Sequence, residues 1–171
     1  IVVEACIREK VLAAAERQGG YFLDSEQSAK VARILLRQGG SMNPAIGGRY
    51  AVRIAEMAGV AVPAGTRVLL SAEQTEVSHG NPYSREKLCP VLGFYVVADW
   101  REACELCMAI LENEGIGHTM VIHSQDDAII REFAGTKPVM RLLVNTPGAL
   151  GCVGATTNLP PAFTLGCGAL G

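Results

Sequence analysis

The sequence has few aromatic residues, little net charge and no long apolar run, and each deficit excludes a class of protein. Only 5% of the 171 residues are aromatic, and 15 Lys and Arg face 17 Asp and Glu, for a net charge of −2. This balance leaves no broad cationic surface for nucleic acid or membrane phosphates. No run approaches the ~20 apolar residues of a membrane-spanning helix. Charges at Glu4, Arg8, Glu9 and Lys10 also interrupt any signal-peptide core.

What the sequence does contain is typical of one folded domain, and we treat residues 1–171 as one unit. Hydrophobic residues make up 49% of the chain, which excludes a disordered tail, and 19 Gly with 8 Pro exclude a simple helical bundle. The chain begins at Ile1 without an initiator Met and closes on Gly171 within a Gly-rich run. We therefore expect it to be a piece of a longer protein.

The apolar pattern predicts three helices followed by alternating strands and helices. The helices are expected over residues 3–18, from Asp24 or Ser25 to Gly39, and from Tyr50 to Ala58. Strands are expected at 66–71, 91–97, 119–123 and 139–144, with helices at 100–113 and 126–134. Crossovers of about a dozen residues or more join parallel strands. The prediction is an α/β, three-layer fold with a mostly parallel, twisted sheet covered on both faces.

Six cysteines raise the question of redox or metal chemistry. Cys104 and Cys107 form a C-x-x-C pair, but they begin several residues after the expected helix start at Asp99, so burial in the helix is favoured over a redox role. No second close pair accompanies His118 or His123, so no metal site is expected. Without a secretory signal, reduced thiols in the cytoplasm are the default.

Two residues, Glu86 and His118, allow both a structural and a functional interpretation. Glu86 precedes a predicted strand, where a carboxylate is usually a solvated charge but can also accept hydrogen bonds from ribose hydroxyls. His118 lies in a Gly-rich stretch read as a flexible entry to the next strand, and a loop histidine can take a proton from a thiol or alcohol. The residues alone do not assemble an active site.

Six collinear runs nevertheless resemble one family. They are Ala29–Ile46, Arg67–Leu70, Arg85–Leu92, Gly117–Thr119, Leu143–Pro147 and Thr164–Gly168. Together they resemble the coenzyme A-acylating branch of the aldehyde dehydrogenase superfamily. That branch includes the aldehyde half of bifunctional aldehyde–alcohol dehydrogenases and the aldehyde dehydrogenases of bacterial microcompartments.

The resemblance implies that this chain is a catalytic-domain fragment without its dinucleotide-binding domain. In the family, the nucleophilic cysteine lies in a short run just before a stretch similar to Ile1–Val3. We therefore expect the nucleophile about six residues upstream, within ~20 Å along the backbone. Cys6 is not that nucleophile, and the isolated chain is expected to be inactive.

The resemblance also implies roles for individual residues. Glu86 would bind the nicotinamide-side ribose of NAD, Leu88 would pack near the nicotinamide, and Leu165 would lie at the cofactor end of the site. His118 would help deprotonate the coenzyme A thiol. The remaining residues, Thr146, Pro147 and Phe163, would line the aldehyde channel.

The implied reaction oxidises a short-chain aldehyde to an acyl-CoA through a cysteine thioester, with NAD as cofactor and coenzyme A as co-substrate. Two alternatives stay open: a hydrolytic aldehyde dehydrogenase releasing a carboxylic acid, and a non-catalytic α/β assembly module. The implied partners are the aldehyde, the protein's own dinucleotide-binding domain and further copies in a homo-oligomer. The implied location is the cytoplasm or the interior of a bacterial microcompartment.

Overall fold

The structure is a computed structural model that describes residues 1–114 and 116–160. The chain divides into two compact units, Ile1–Glu114 and Gly115–Gly171. Both units pair parallel strands and connect them through helices, so the predicted α/β class with a mostly parallel sheet is confirmed. None of the helices in these described ranges is long and apolar enough to cross a lipid bilayer.

The larger unit is a parallel sheet with helices between its strands. Its elements are β1 (Val2–Glu4), α1 (Arg8–Arg17), β2 (Gly20–Phe22), α2 (Ser25–Leu35), α3 (Ala51–Met57), β3 (Val68–Glu73), β4 (Val91–Val97) and α4 (Trp100–Glu114). Short 3₁₀ helices occupy Ala5–Ile7 and Pro82–Ser84. Within residues 1–114 the strand order is β1-β4-β3-β2 and every pairing is parallel. The amino ends of all these strands therefore lie at one edge of the sheet.

The start of α2 shows how local sequence sets an element boundary. The Asp24 carboxylate accepts the Gln27 backbone N–H at 2.8 Å, and the Gln27 side chain accepts the Asp24 N–H at 3.1 Å. This reciprocal capping box satisfies two backbone donors that the first helical turn would otherwise leave without partners. Of the two predicted caps, Asp24 and Ser25, Asp24 is therefore the one that caps the helix. The apolar stripe of α2 buries Val31 and Leu35 completely.

Two apolar clusters hold the larger unit together. One joins α2 and α3 to the sheet through Leu35, Ile54 and Leu69, which are all 0% exposed. The other is built from Val3, Leu70 and Phe94. In that cluster the rings of Phe22 and Phe94 meet edge to face, with centroids 5.2 Å apart.

Buried serines satisfy the backbone where the β3–β4 pairing is interrupted. The register shifts between Leu70 and Glu73. Beside that irregularity, the Ser71 hydroxyl accepts the Phe94 N–H at 3.0 Å, and the Ser28 hydroxyl accepts the Ala72 N–H at 2.7 Å. The side chains thus supply acceptors that a regular ladder would have supplied from backbone carbonyls.

The prediction for the first 22 residues was partly wrong. A single helix was expected over residues 3–18, but Val2–Glu4 form β1 and α1 begins only at Arg8. The strand β2, immediately after the turn at Gly19, was not predicted. Both strands have three residues, so neither shows enough alternation to be recognised; they become strands because β4 and β3 supply parallel partners.

The smaller unit also contains a β-α-β arrangement. Its described elements are β5 (Gly117–Ile122), α5 (Asp127–Thr136), β6 (Val139–Val144) and α6 (Gly148–Gly151). β5 and β6 pair in parallel, with Gly117 opposite Val139 and Ile122 opposite Val144. The Asp126 carboxylate caps α5 by accepting the N–H groups of Ala128 and Ile129.

Candidate functional site

The segment between the 3₁₀ helix Pro82–Ser84 and β4 presents an apolar side chain to solvent in an unfavourable backbone conformation. Leu88 has φ +48° and is 62% exposed. A left-handed conformation costs a non-glycine residue about 1–2 kcal/mol. Its carbonyl accepts the Gly48 N–H at 3.3 Å, which ties it to the loop before α3. Strain combined with exposure of a large apolar group is typical of a binding surface.

Glu86 lies two residues earlier and is exposed. Its backbone N–H donates to Glu114 Oε2 at 2.9 Å, so the main chain at this position is fixed. An ionised carboxylate has several acceptor sites, and two vicinal hydroxyls are donors that fit it. Residues 86–88 therefore expose a carboxylate and an apolar side chain two positions apart in the chain.

Lys87, between these two residues, points inward. It is 9% exposed, and its ammonium donates to the carbonyls of Tyr83 at 3.0 Å, Pro82 at 3.4 Å and Arg85. Burial lowers the pKa of Lys87, although the neighbouring Cys89 and Glu114 favour the charged form. The Lys87 ammonium lies inside the loop, where it binds these carbonyls. The neighbouring side chains, Glu86 and Leu88, are exposed to solvent.

The two residues before Lys87 attach the loop to the last turn of α4. Arg85 Nε forms an ion pair with Glu114 Oε1, and the side chains are 21% and 22% exposed. Sequence reasoning missed Arg85, Lys87 and Glu114. Nothing in the sequence pattern indicates that Lys87 is buried or that Arg85 pairs with Glu114, and both features are seen only in the structure.

His118 lies within β5 and is exposed, so the sequence expectation of a flexible loop at this position was wrong. The preceding Gly117 has φ +114° and still pairs with Val139, so the strand begins one residue before the histidine. The imidazole is therefore carried by a strand near its amino end.

Thr146 and Pro147 follow the carboxyl end of β6. Thr146 is 7% exposed, and its hydroxyl shares a hydrogen bond with that of Thr156. Pro147 is exposed and immediately precedes α6. Because β5 and β6 are parallel, His118 lies at the opposite end of this strand pair from Thr146, roughly 20 Å along the strand direction. The described part of this unit therefore does not bring His118 together with Thr146 and Pro147. The other predicted site residues, Phe163 and Leu165, lie outside the described residues.

The described cysteines offer no assembled nucleophile or metal site. Cys104 is only half-buried on α4, where Leu111 is the buried residue, so the predicted burial of the C-x-x-C pair is met only in part. Burial raises the pKa of the half-buried Cys89 thiol, although Lys87 and the Val91 N–H oppose the shift. A raised thiol pKa disfavours nucleophilic attack at neutral pH. Within residues 1–114 and 116–160, no three His, Cys, Asp or Glu side chains cluster closely enough to bind a metal ion.

The fold is thus an α/β arrangement of parallel strands with an exposed carboxylate and leucine at one strand entrance. Comparisons with known proteins show which proteins this chain is similar to. The bifunctional aldehyde-alcohol dehydrogenase of Escherichia coli is 35% identical over 176 residues, covering 100% of this chain and 20% of the relative. No protein-family model matches the chain.

Two solved structures are also similar over nearly the whole chain. An acetylating aldehyde dehydrogenase from Geobacillus thermoglucosidasius has a TM-score of 0.94 at 44% identity, covering 99% of this chain and 37% of that one. A probable aldehyde dehydrogenase from Listeria monocytogenes has a TM-score of 0.94 at 57% identity, with the same coverage. The chain's homologues are acylating aldehyde dehydrogenases, and the predicted resemblance to that branch is confirmed. The chain spans between a fifth and about two fifths of the length of these relatives.

Proposed function

We propose that this chain is the nucleophile-side catalytic domain of an NAD-dependent, coenzyme A-acylating aldehyde dehydrogenase. The observation that carries the proposal is the loop at 86–88, where an exposed carboxylate and a strained, exposed leucine lie together at the entrance to β4. The similarity to an acetylating aldehyde dehydrogenase over 99% of the chain supports the reaction class.

The overall reaction converts an aldehyde, NAD⁺ and coenzyme A into acyl-CoA, NADH and a proton. A cysteine thiolate adds to the aldehyde carbonyl. Hydride transfer from this adduct to the nicotinamide, when it is bound, converts the adduct into a thioester on the cysteine. The thiolate of coenzyme A then attacks the thioester carbonyl and releases the cysteine. A short-chain aldehyde is the proposed substrate.

The topology supports a common site for the nucleophile and the loop. In this proposal the cysteine precedes Ile1 by about six residues, within ~20 Å along the backbone. β1 and β4 are parallel neighbours, with Val2 opposite Tyr95. A segment that leads into β1 therefore approaches the same sheet edge at which residues 86–88 lead into β4.

The proposed cofactor contacts rest on the family resemblance, and the exposure of Glu86 and Leu88 is compatible with them. The Glu86 carboxylate accepts hydrogen bonds from the ribose hydroxyls, which anchors the sugar. The Leu88 side chain packs against the adjacent ring and excludes water from that face. Leu165 is proposed at the same cofactor end.

His118 is proposed to take the proton from the coenzyme A thiol, since an exposed imidazole nitrogen can accept a proton from a thiol. Thr146, Pro147 and Phe163 are proposed along the aldehyde channel. Thr146 would act there through the loop that it holds, because its hydroxyl is already bonded to Thr156.

The proposal extends to the rest of the protein. The partners are a dinucleotide-binding domain and further copies in a homo-oligomer, located in the cytoplasm or within a bacterial microcompartment. The isolated 171-residue chain is expected to show no aldehyde-dependent NAD⁺ reduction, since the proposed nucleophile precedes Ile1. Turnover by the pure chain would contradict that expectation.

The role of His118 separates the two chemical steps and can be tested in the natural full-length protein. In rapid-mixing experiments, the His118→Ala variant should keep the first-turnover rate of NADH formation within roughly twofold and slow acyl-CoA release by about 10²-fold or more. His123→Ala is the matched control, because His123 is also exposed and follows the same strand. Equal slowing of both steps in the His118 variant would refute the proposed role.

A further inference from the structure

The charged groups at the end of α4 form a network with the loop before β4. Glu114 Oε1 accepts from Arg85 Nε, and Glu114 Oε2 accepts the Glu86 N–H at 2.9 Å. Arg85 Nη1 continues to the carbonyls of Gly40 at 2.8 Å and His79 at 3.4 Å. One carboxylate thus binds two consecutive residues of the loop, and the arginine joins them to two further segments.

The adjacent residue of α4 reinforces this attachment. Asn113 Nδ2 donates to the Ser84 carbonyl at 3.3 Å, so successive side chains of the last helical turn contact residues 84, 85 and 86. The end of α4 therefore holds the loop at the point where it turns Glu86 outward.

The position of Glu114 is unfavourable for the helix itself. It is the last residue of α4, where the helix dipole presents its negative end and disfavours a carboxylate. Burial raises the pKa of Glu114, but the hydrogen bonds from Glu86 and Arg85, with the charges of Arg85 and His79, outweigh burial and hold that pKa below its ordinary value. The carboxylate is thus stabilised in its ionised form by the loop that it binds.

We propose that Glu114 is a positioning residue for cofactor binding, which acts by fixing Arg85 and the Glu86 backbone so that the Glu86 carboxylate faces the ribose. This inference rests on the proposed function, since it requires residues 86–88 to bind the dinucleotide. Glu114 itself touches neither cofactor nor substrate in this proposal. Its loss should therefore weaken cofactor binding and leave the chemical steps unchanged.

The primary variant is Glu114→Gln in the natural full-length protein. Its amide has nearly the same shape but provides only one acceptor oxygen, so it can satisfy one of the two loop donors and turns an NH₂ group towards the other. Charge-assisted hydrogen bonds are about twice as strong as neutral ones. We expect the KM for NAD⁺ to rise roughly fivefold to tenfold, equivalent to about 1–1.4 kcal/mol, with kcat within about twofold.

Two further variants show whether the effect comes from the contact between Glu114 and the loop or from loss of any carboxylate on α4. Glu112→Gln is the matched control, because Glu112 is exposed, lies on the same helix and carries the same charge; it should leave the KM for NAD⁺ unchanged. Arg85→Lys keeps the positive charge but loses the fork that reaches Glu114 and Gly40 together. It should raise the KM for NAD⁺ as Glu114→Gln does.

The double variant Glu86→Gln/Glu114→Gln distinguishes positioning from a general structural effect. If Glu114 acts through Glu86, the KM for NAD⁺ of the double variant stays within about twofold of that of Glu86→Gln alone. Multiplied effects, or a Glu114→Gln variant that behaves like Glu112→Gln, would overturn the positioning role. If Glu86→Gln itself leaves the KM for NAD⁺ unchanged, the proposed cofactor loop is wrong, and that failure is visible separately.

Discussion

At position 88 we expect glycine to be more stable than alanine, which is the reverse of the usual order of these two residues. Because this side chain is 62% exposed, truncating it removes little burial, and both Leu88→Ala and Leu88→Gly should lose about 1 kcal/mol on that account. The backbone at φ +48° is where they differ. Glycine relieves the left-handed strain of about 1–2 kcal/mol, whereas alanine keeps it.

The magnitude of the reversal follows from two opposing contributions. In ordinary backbone, glycine is less stable than alanine by roughly 0.5–1 kcal/mol because the unfolded chain gains freedom. Subtracting this from the relieved strain leaves Leu88→Gly more stable than Leu88→Ala by about 0–1.5 kcal/mol, with a middle value of about 0.75 kcal/mol. Both variants should raise the KM for NAD⁺, because both remove the apolar surface.

The assay is urea unfolding of the natural full-length protein, with free energies compared at equal m-values. Leu92 is the control site, because it is 37% exposed in β4 and is not among the residues with positive φ. There, Ala should be more stable than Gly. If Leu88→Ala is more stable than Leu88→Gly, as is expected at Leu92, the backbone at Leu88 carries no strain of this size.

Three further predictions concern hydrogen bonds on which the larger unit depends. Ser71→Ala leaves the buried Phe94 N–H without its acceptor and should lower the free energy of unfolding by about 1–3 kcal/mol in urea titration; a loss below about 0.5 kcal/mol would contradict that role. Burial raises the pKa of Tyr83, whose hydroxyl donates to the Ser28 carbonyl, to about 12, so folding stability should decline between pH 10 and about 12. Tyr83→Phe should reduce that decline and leave the part due to Tyr95, whose pKa burial also raises, and an unchanged pH profile would count against the role of Tyr83. The lowered pKa of Glu114 means that its stabilising contribution is complete above about pH 4.5 and is lost as the pH falls through the folded-state pKa. The stability difference between wild type and Glu114→Gln should shrink over that acid range, and a difference independent of pH would refute the ion pair.

Much of the fold could be predicted because its main elements carry strong local signals. The strand at 91–97 is continuously apolar and was predicted with its observed limits, and the capping residue Asp24 fixed the start of α2. The three-residue strands β1 and β2 could not be predicted, because their pairing depends on neighbours remote in sequence. β1 and β2 form only because the folded chain places them beside β4 and β3.

The candidate site also has features that the sequence predicts and features that only the structure shows. The motif containing Glu86 and Leu88 could be recognised in the sequence, but the strain at Leu88 and the inward turn of Lys87 are visible only in three dimensions. The attachment of the loop to Glu114 depends on how α4 ends beside the 3₁₀ helix Pro82–Ser84. No periodicity in the sequence encodes that contact.

The dependence of aldehyde oxidation on coenzyme A tests the central proposal most directly. The natural full-length protein would be given a short-chain aldehyde and NAD⁺, with and without coenzyme A, while NADH is followed by absorbance and products by mass spectrometry. We expect acyl-CoA in amounts equal to NADH, and loss of most turnover when coenzyme A is omitted. Undiminished NADH formation without coenzyme A, with the free carboxylic acid as product, would contradict it.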